Sequence, residues 1–159
     1  MRARTKSADD TRAFAGELAM FGKPGDVVLL SGDLGAGKTV FAQGFGRALG
    51  VTDRITSPTF TLMRQYDEAR VPLLHVDVYR LDRMQEVLEL GLAELLDAGM
   101  LALIEWGDVV APALPADFLH VDIEFGDGDD DRGLRVRAVG PSWSPRMTAM
   151  GQAVERWTI

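Results

Sequence analysis

The stretch Val27-Val28-Leu29-Leu30-Ser31-Gly32-Asp33-Leu34-Gly35-Ala36-Gly37-Lys38-Thr39 organises the chain. Val27 to Leu30 is a short apolar run bounded by turn residues, the pattern of a strand buried on both faces. Gly32 to Thr39 fits the phosphate-loop pattern GxxxxGK[ST]. Its glycines let backbone N–H groups turn inward around phosphate oxygens. The segment from Lys38 to Leu49 reads as a helix stopped by Gly50, and its positive end lies at the same point. Lys38 then reaches the β- and γ-phosphates, and the Thr39 hydroxyl is placed to ligate Mg²⁺. Strand, loop and helix in this order predict a nucleotide site built from Gly35, Ala36, Gly37, Lys38, Thr39 and Val40.

Outward from this stretch the pattern stays α/β. Ser7-Ala8-Asp9-Asp10 resembles a capping box, and Phe14, Leu18 and Phe21 follow at helical spacing, so residues 8–22 read as an amphipathic helix. Gly22 and Pro24-Gly25 stop it. Phe60 to Tyr66 and Leu73 to Tyr79 read as an antiparallel hairpin turning near Asp67-Glu68. Met84 to Leu96 reads as a helix interrupted by Gly91, and Leu101 to Ile104 as a further buried strand. A second hairpin pairs Leu119 to Phe125 with Leu134 to Val139 across the acidic run Asp127 to Asp131, which reads as a solvated loop. A last helix is expected near Pro145 to Trp157, with Met147, Met150, Val154 and Trp157 on one face. The expected architecture is a three-layer α/β sandwich of the phosphate-loop NTPase kind, its mixed central sheet flanked by helices. One domain is expected over 1–159, with the motifs in about 8–125 and a hairpin strand and C-terminal helix in 126–159.

Composition narrows the function classes. The 159 residues carry 24 acidic against 17 basic side chains, a formal net charge of −7. Gripping a nucleic-acid backbone unaided needs clustered Lys and Arg, so direct DNA binding is not expected. The chain has no cysteine, which excludes disulfides, thiolate metal sites and a thiol nucleophile. No apolar run approaches the ~20 residues of a membrane helix, and Met1 to Asp10 is polar without a signal-peptide core. A cytoplasmic location is expected.

A phosphate-loop enzyme also needs carboxylates at strand ends. Two apolar runs end in one: Leu73-Leu74-His75-Val76-Asp77 and Leu101-Ala102-Leu103-Ile104-Glu105. Either could serve the metal, and spacing does not choose between them. Thr56-Ser57-Pro58-Thr59 is a hydroxyl-rich segment placed where a γ-phosphate can be sensed. Trp106, next to Glu105, reads either as a packed aromatic or as a cover for the site or a partner contact. His75 and His120 lie inside strands and read as packed side chains.

Four segments in register resemble the bacterial TsaE (YjeE-type) family: Gly32 to Thr39, Ser57-Pro58-Thr59-Phe60-Thr61-Leu62, His75-Val76-Asp77-Val78-Tyr79-Arg80-Leu81, and Ile104-Glu105-Trp106. The Asp10-Thr11 helix start is also similar. The resemblance implies an accessory ATPase of tRNA threonylcarbamoyladenosine biosynthesis. It implies that ATP and Mg²⁺ are the cofactors, that Thr39 and Glu105 act on Mg²⁺, and that Asp77 is needed for hydrolysis along with Lys38. It further implies that Ser57, Pro58 and Thr59 form a switch and that Thr11 lies beside the nucleotide base. The implied partners are TsaB and TsaD, with tRNA met only through them and no membrane involved. Activity alone is then expected to be weak. The competing reading is a small-molecule phosphate-loop kinase, although no Arg-rich lid or acceptor pocket is visible. The chain has no Asn and therefore no Asn-Lys-x-Asp guanine motif, which favours adenine.

Overall fold

The computed structural model describes residues 1–58, 62–79 and 81–159, with the side chain of Leu81 excepted. In chain order, β1 (Arg2–Thr5) leads to α1 (Ala8–Ala19), β2 (Val27–Ser31) and α2 (Lys38–Leu49). Next come β3 (Met63–Tyr66), β4 (Leu73–Asp77), α3 (Leu81–Glu89) and α4 (Leu92–Asp97). After these follow β5 (Leu101–Glu105), α5 (Gly107–Val110), β6 (Phe118–Phe125), β7 (Arg132–Val139) and α6 (Met147–Ala153).

The described strands form one sheet in the order β1-β7-β6-β2-β5-β4-β3. The centre is parallel: β2 lies between β6 and β5, and β4 flanks β5. Both margins are antiparallel, β3 on β4 at one side and β6-β7-β1 at the other. Alternation along the central strands divides the core into two layers. Val28, Leu30, Leu101 and Leu103 pack with Phe14 and Leu18 of α1 and Phe41 and Phe45 of α2. Leu29, Leu74, Val76, Ala102 and Ile104 pack with Met84, Val87 and Leu92 on the other face. A sheet covered on both faces explains why its central strands read as unbroken apolar runs. The expected three-layer arrangement with a mixed sheet is the one observed.

Most expected elements fall within a few residues of their sequence bounds. The Gly91 interruption separates α3 from α4. Residues 59–61, at the start of the first expected hairpin, lie outside the described residues. Two elements were not legible. Arg2–Thr5, read only as a polar terminus, is a strand on β7 whose Ala3 and Thr5 point inward and are buried. Two alternating positions are too few to signal a strand. The one-turn helix α5 likewise lacks a periodic pattern.

The C-terminal segment docks on α1. Trp157 is buried, meets Phe14 edge-on at a ring separation of 5.5 Å, and donates from Nε1 to Asp10 Oδ1 at 2.6 Å. Arg146 forks onto Asp26, with Nη1 and Nη2 at 2.5 and 2.8 Å from its two oxygens. Trp157→Ala is expected to lower stability by about 3 kcal/mol, measured as an earlier urea midpoint with an unchanged slope.

Candidate functional site

The parallel register sets the site. Asp77 of β4 lies opposite Glu105 of β5, and Glu105 lies opposite Leu30 of β2. All three strands therefore end at one rim, where β2 gives way to the glycine loop; ligands bind there in α/β sheets. Gly32 has φ +138, and a Cβ there would sit 2.3 Å from the Ile123 carbonyl oxygen, so only glycine fits. Gly37 caps α2 in the left-handed region and supplies no side-chain acceptor to the first-turn amides. That turn also carries no acidic residue, in contrast to α1, where Ser7 accepts from the Asp10 amide.

Around this helix end the described side chains line a cleft of about 310 Å³. It brings together Gly35, Gly37, Lys38, Thr39, Val40, Ser57, Asp77, Glu105 and Trp106, nine of the thirteen candidate site residues singled out in the sequence. Lys38 donates from Nζ to the carbonyls of Gly32 and Asp33 at 2.6 and 2.9 Å. The Trp106 ring covers the same ammonium, with its centroid 3.9 Å away. Burial pushes the Lys38 ammonium below its ordinary range, opposed by Glu105, Asp77, Asp108 and Asp33. Trp106 achieves this placement with φ +67, a left-handed conformation that costs a non-glycine residue about 1 kcal/mol or more.

Glu105 is buried and held from two sides. The Thr39 hydroxyl donates to Oε1 at 3.2 Å, and His75 Nε2 lies 2.9 Å from the same oxygen. Since a carboxylate accepts, His75 carries its proton on Nε2. Its buried Nδ1 has no partner among the described residues. Asp77 accepts from the Ser57 hydroxyl through Oδ2, while Oδ1 is buried without a hydrogen-bond partner among the described residues.

The remaining expected residues stand around this cleft. Ala36 is buried, and its carbonyl accepts from Arg132 Nε at 2.8 Å. Thr11 shares a small recess of about 40 Å³ with Gly37, Val40, Asp130 and Arg132. Its hydroxyl bonds Thr5 Oγ1 at 2.7 Å and the Ser7 carbonyl at 3.1 Å. The Pro58 carbonyl accepts from the Leu62 amide. Thr59 lies outside the described residues.

Four features were not read from the sequence. His75 is packed, as expected, but it also orients Glu105. Arg132 joins β7 to the glycine loop, and its guanidinium stacks 4.9 Å from the Phe125 ring; only the antiparallel register of β6 and β7 pairs these two residues. The acidic run is mostly exposed, yet Asp127 and Asp131 accept from Arg4 at 2.8 and 2.6 Å, tying the loop to β1. His120 is more than packing too: Arg137 donates to its Nδ1, so Nε2–H faces Ser31 Oγ at 2.6 Å.

The family model described as threonylcarbamoyl adenosine biosynthesis protein TsaE matches residues 5–134. The chain belongs to the TsaE family. A Bacillus subtilis TsaE, a tRNA threonylcarbamoyladenosine biosynthesis protein, is 43% identical over 137 residues, covering 86% of this chain and 85% of that one. A Nostoc TsaE is 46% identical over 122 residues, covering 74% and 71%. A crystal structure of Bacillus subtilis YdiB superimposes with a TM-score of 0.78 at 36% identity, covering 98% and 94%. This TsaE-family chain thus has a role in threonylcarbamoyladenosine biosynthesis, and its fold is of the phosphate-loop NTPase kind. Among the described residues, no helix is long and apolar enough to cross a membrane.

Two predictions follow from the bonds at these histidines. Removing the His75 donor leaves a buried carboxylate short of a partner, so His75→Ala is expected to cost about 2 kcal/mol, measured by urea unfolding. Burial, then the Arg137 guanidinium, hold His120 below its ordinary 6.5. The unfolded chain then takes up a proton that the folded protein refuses, so this contribution weakens folding as pH falls below about 6.5. His120→Gln is expected to flatten the loss of stability between about pH 7 and pH 5.5, read from urea midpoints at the two values.

Proposed function

We propose that this chain is an accessory Mg²⁺-dependent ATPase of tRNA N6-threonylcarbamoyladenosine biosynthesis, which binds and hydrolyses ATP to support turnover of a TsaB–TsaD complex. The observation carrying this reading is the convergence of Lys38, the hydroxyl–carboxylate pair Thr39–Glu105 and Asp77 around the first turn of α2.

The donor set fits these ligands. First-turn amides without a protein acceptor suit a phosphate chain. Among the described residues no three His, Asp or Glu side chains gather into a metal cage. One hydroxyl and one carboxylate suit Mg²⁺, which prefers oxygen donors and keeps several waters. When bound, Mg²⁺ would neutralise charge on the phosphates.

In this mechanism the amides of Gly35 to Thr39 and the Lys38 ammonium hold the triphosphate. Thr39 and Glu105 hold the metal directly or through water, with His75 fixing the carboxylate. Asp77, with one oxygen bonded to Ser57 and the other without a partner among the described residues, orients a water. The Ser57–Thr59 segment reports on the γ-phosphate through that Ser57–Asp77 bond. Trp106 screens the Lys38 ammonium from solvent. Thr11 and its recess border the nucleoside. A cytoplasmic location accords with tRNA chemistry and with a chain whose net negative charge leaves tRNA contact to its partners.

Hydrolysis of MgATP by the pure protein, with and without the TsaB–TsaD pair, tests the reading. A low rate raised clearly by the pair is expected. A rate unaffected by the pair, but raised by a small phosphate acceptor, would instead indicate a kinase. Lys38→Ala is expected to abolish ATP-dependent stabilisation, which for the wild type amounts to about 2.7 kcal/mol at a hundredfold excess over Kd. Asp77→Ala should keep that stabilisation and lower turnover about 100-fold. Full turnover in Asp77→Ala would make Asp77 structural.

A further inference from the structure

Beyond the nucleotide cleft, a larger groove of about 640 Å³ opens beside the C-terminal half of α2. Arg12 of α1, Arg47 of α2 and Arg54 of the following loop converge on it, above a floor that includes the buried Val51 and Ile55. Arg47 and Arg54 are exposed and have no side-chain partner among the described residues. Arg12 is set in place: its Nε donates to Gln43 Oε1 at 3.1 Å and its Nη1 to Asp9 at 2.7 Å. Gln43 in turn donates to the Ile55 carbonyl at 3.0 Å. A Cβ on Gly44 would lie 2.2 Å from the Arg12 carbonyl oxygen, so α1 and α2 meet backbone to backbone there and the Arg12 position is rigid. In a chain of net charge −7, this groove is lined by Arg12, paired to Asp9, and by Arg47 and Arg54, while its Asp53 is paired to Arg64, so the uncompensated charge of the lining is positive.

We infer that this groove is the docking surface for an acidic segment of a partner protein, and that its occupancy is transmitted to the nucleotide cleft. The inference deepens the proposed partner-dependent ATPase and rests on that reading for the partner it uses. Guanidinium forks suit carboxylates and phosphates alike. Two observations favour a protein segment over an RNA backbone. Among the described residues the groove has no aromatic side chain to stack a base. Its Val51 and Ile55 floor suits an aliphatic side chain next to the acid. The protein's net charge also repels a polyanion at long range, while a short acidic segment meets mainly the local positive field.

Transmission follows from the chain path. The wall from Val51 to Ile55 runs directly into Ser57, whose hydroxyl bonds Asp77 in the cleft. The Gln43–Ile55 bond ties that wall to the helix bearing Lys38 and Thr39. A carboxylate drawn between Arg12 and Arg54 therefore acts on the segment that holds Asp77.

The test uses the full-length protein and an Arg47→Glu/Arg54→Glu variant, neither change touching the ATP machinery. Binding of the TsaB–TsaD pair is measured by interferometry in MgATP, and a six-glutamate peptide is titrated into ¹⁵N-labelled protein. The expected result is about tenfold or greater weakening of pair binding in the double variant. ATP-dependent stabilisation and the basal rate should be unchanged while stimulation by the pair is lost. The peptide should shift amides of Arg47 and 51–55 in the wild type only, and Arg47→Lys/Arg54→Lys should retain binding. Peptide shifts absent from the groove, or a double variant that binds the pair like the wild type, would overturn the inference. So would a variant that loses tRNA binding alone, which would make the groove an RNA contact. If the pair does not bind even the wild type while the peptide still maps to the groove, the partner reading fails and the acidic-segment site stands.

Discussion

A single buried carboxylate constrains the site. Glu105 ends β5 inside the protein, and burying such a group without donors costs several kcal/mol. Two donors meet it: His75 from the neighbouring strand and Thr39 from the first turn of α2. The first requires β4 and β5 to run parallel in their observed register, because a one-residue slip would turn His75 to the other face. The second requires the glycine loop to bring α2 back over the end of β2. Sheet register and loop geometry thus meet at one side chain, the carboxylate proposed to hold Mg²⁺.

The surrounding backbone carries strain in support of this arrangement. Trp106 occupies the left-handed region immediately after Glu105, and its ring closes over Lys38. Gly107 follows where a Cβ would press within 2.6 Å of Leu29 Cβ, so the chain crosses tightly over β2. Lys38, partly desolvated beneath the indole, is poised between loop carbonyls and the cleft. On the other flank, Arg132 bonds the Ala36 carbonyl and the Arg4–Asp131 pair anchors the β6–β7 turn. The loop is therefore braced from both sides of the sheet.

Much of this was legible because local signals agreed with the global fold. The apolar run Val27 to Leu30, the glycine pattern and the stop at Gly50 gave β2 to within one residue and α2 with its observed bounds, since each is decided within a few residues. The apolar runs placed Asp77 and Glu105 at strand ends, and the parallel register sets them side by side at one rim. What escaped depends on pairing between distant segments. The role of His75 appears only when β4 lies beside β5, and that of Arg132 only when β7 returns along β6. β1 is too short to carry a pattern, and its burial comes from β7 and the C-terminal segment. The arginine groove joins residues from α1, α2 and a loop, a proximity that no linear motif encodes.

The proposed function depends on Thr39 and Glu105 holding Mg²⁺ beside a bound triphosphate. Calorimetric titration of ATP into wild type and Glu105→Gln, each with and without Mg²⁺, tests it most directly. Mg²⁺ is expected to tighten ATP binding to the wild type about tenfold or more, and Glu105→Gln to lose this dependence while still binding ATP. Equal tightening by Mg²⁺ in both proteins would contradict it.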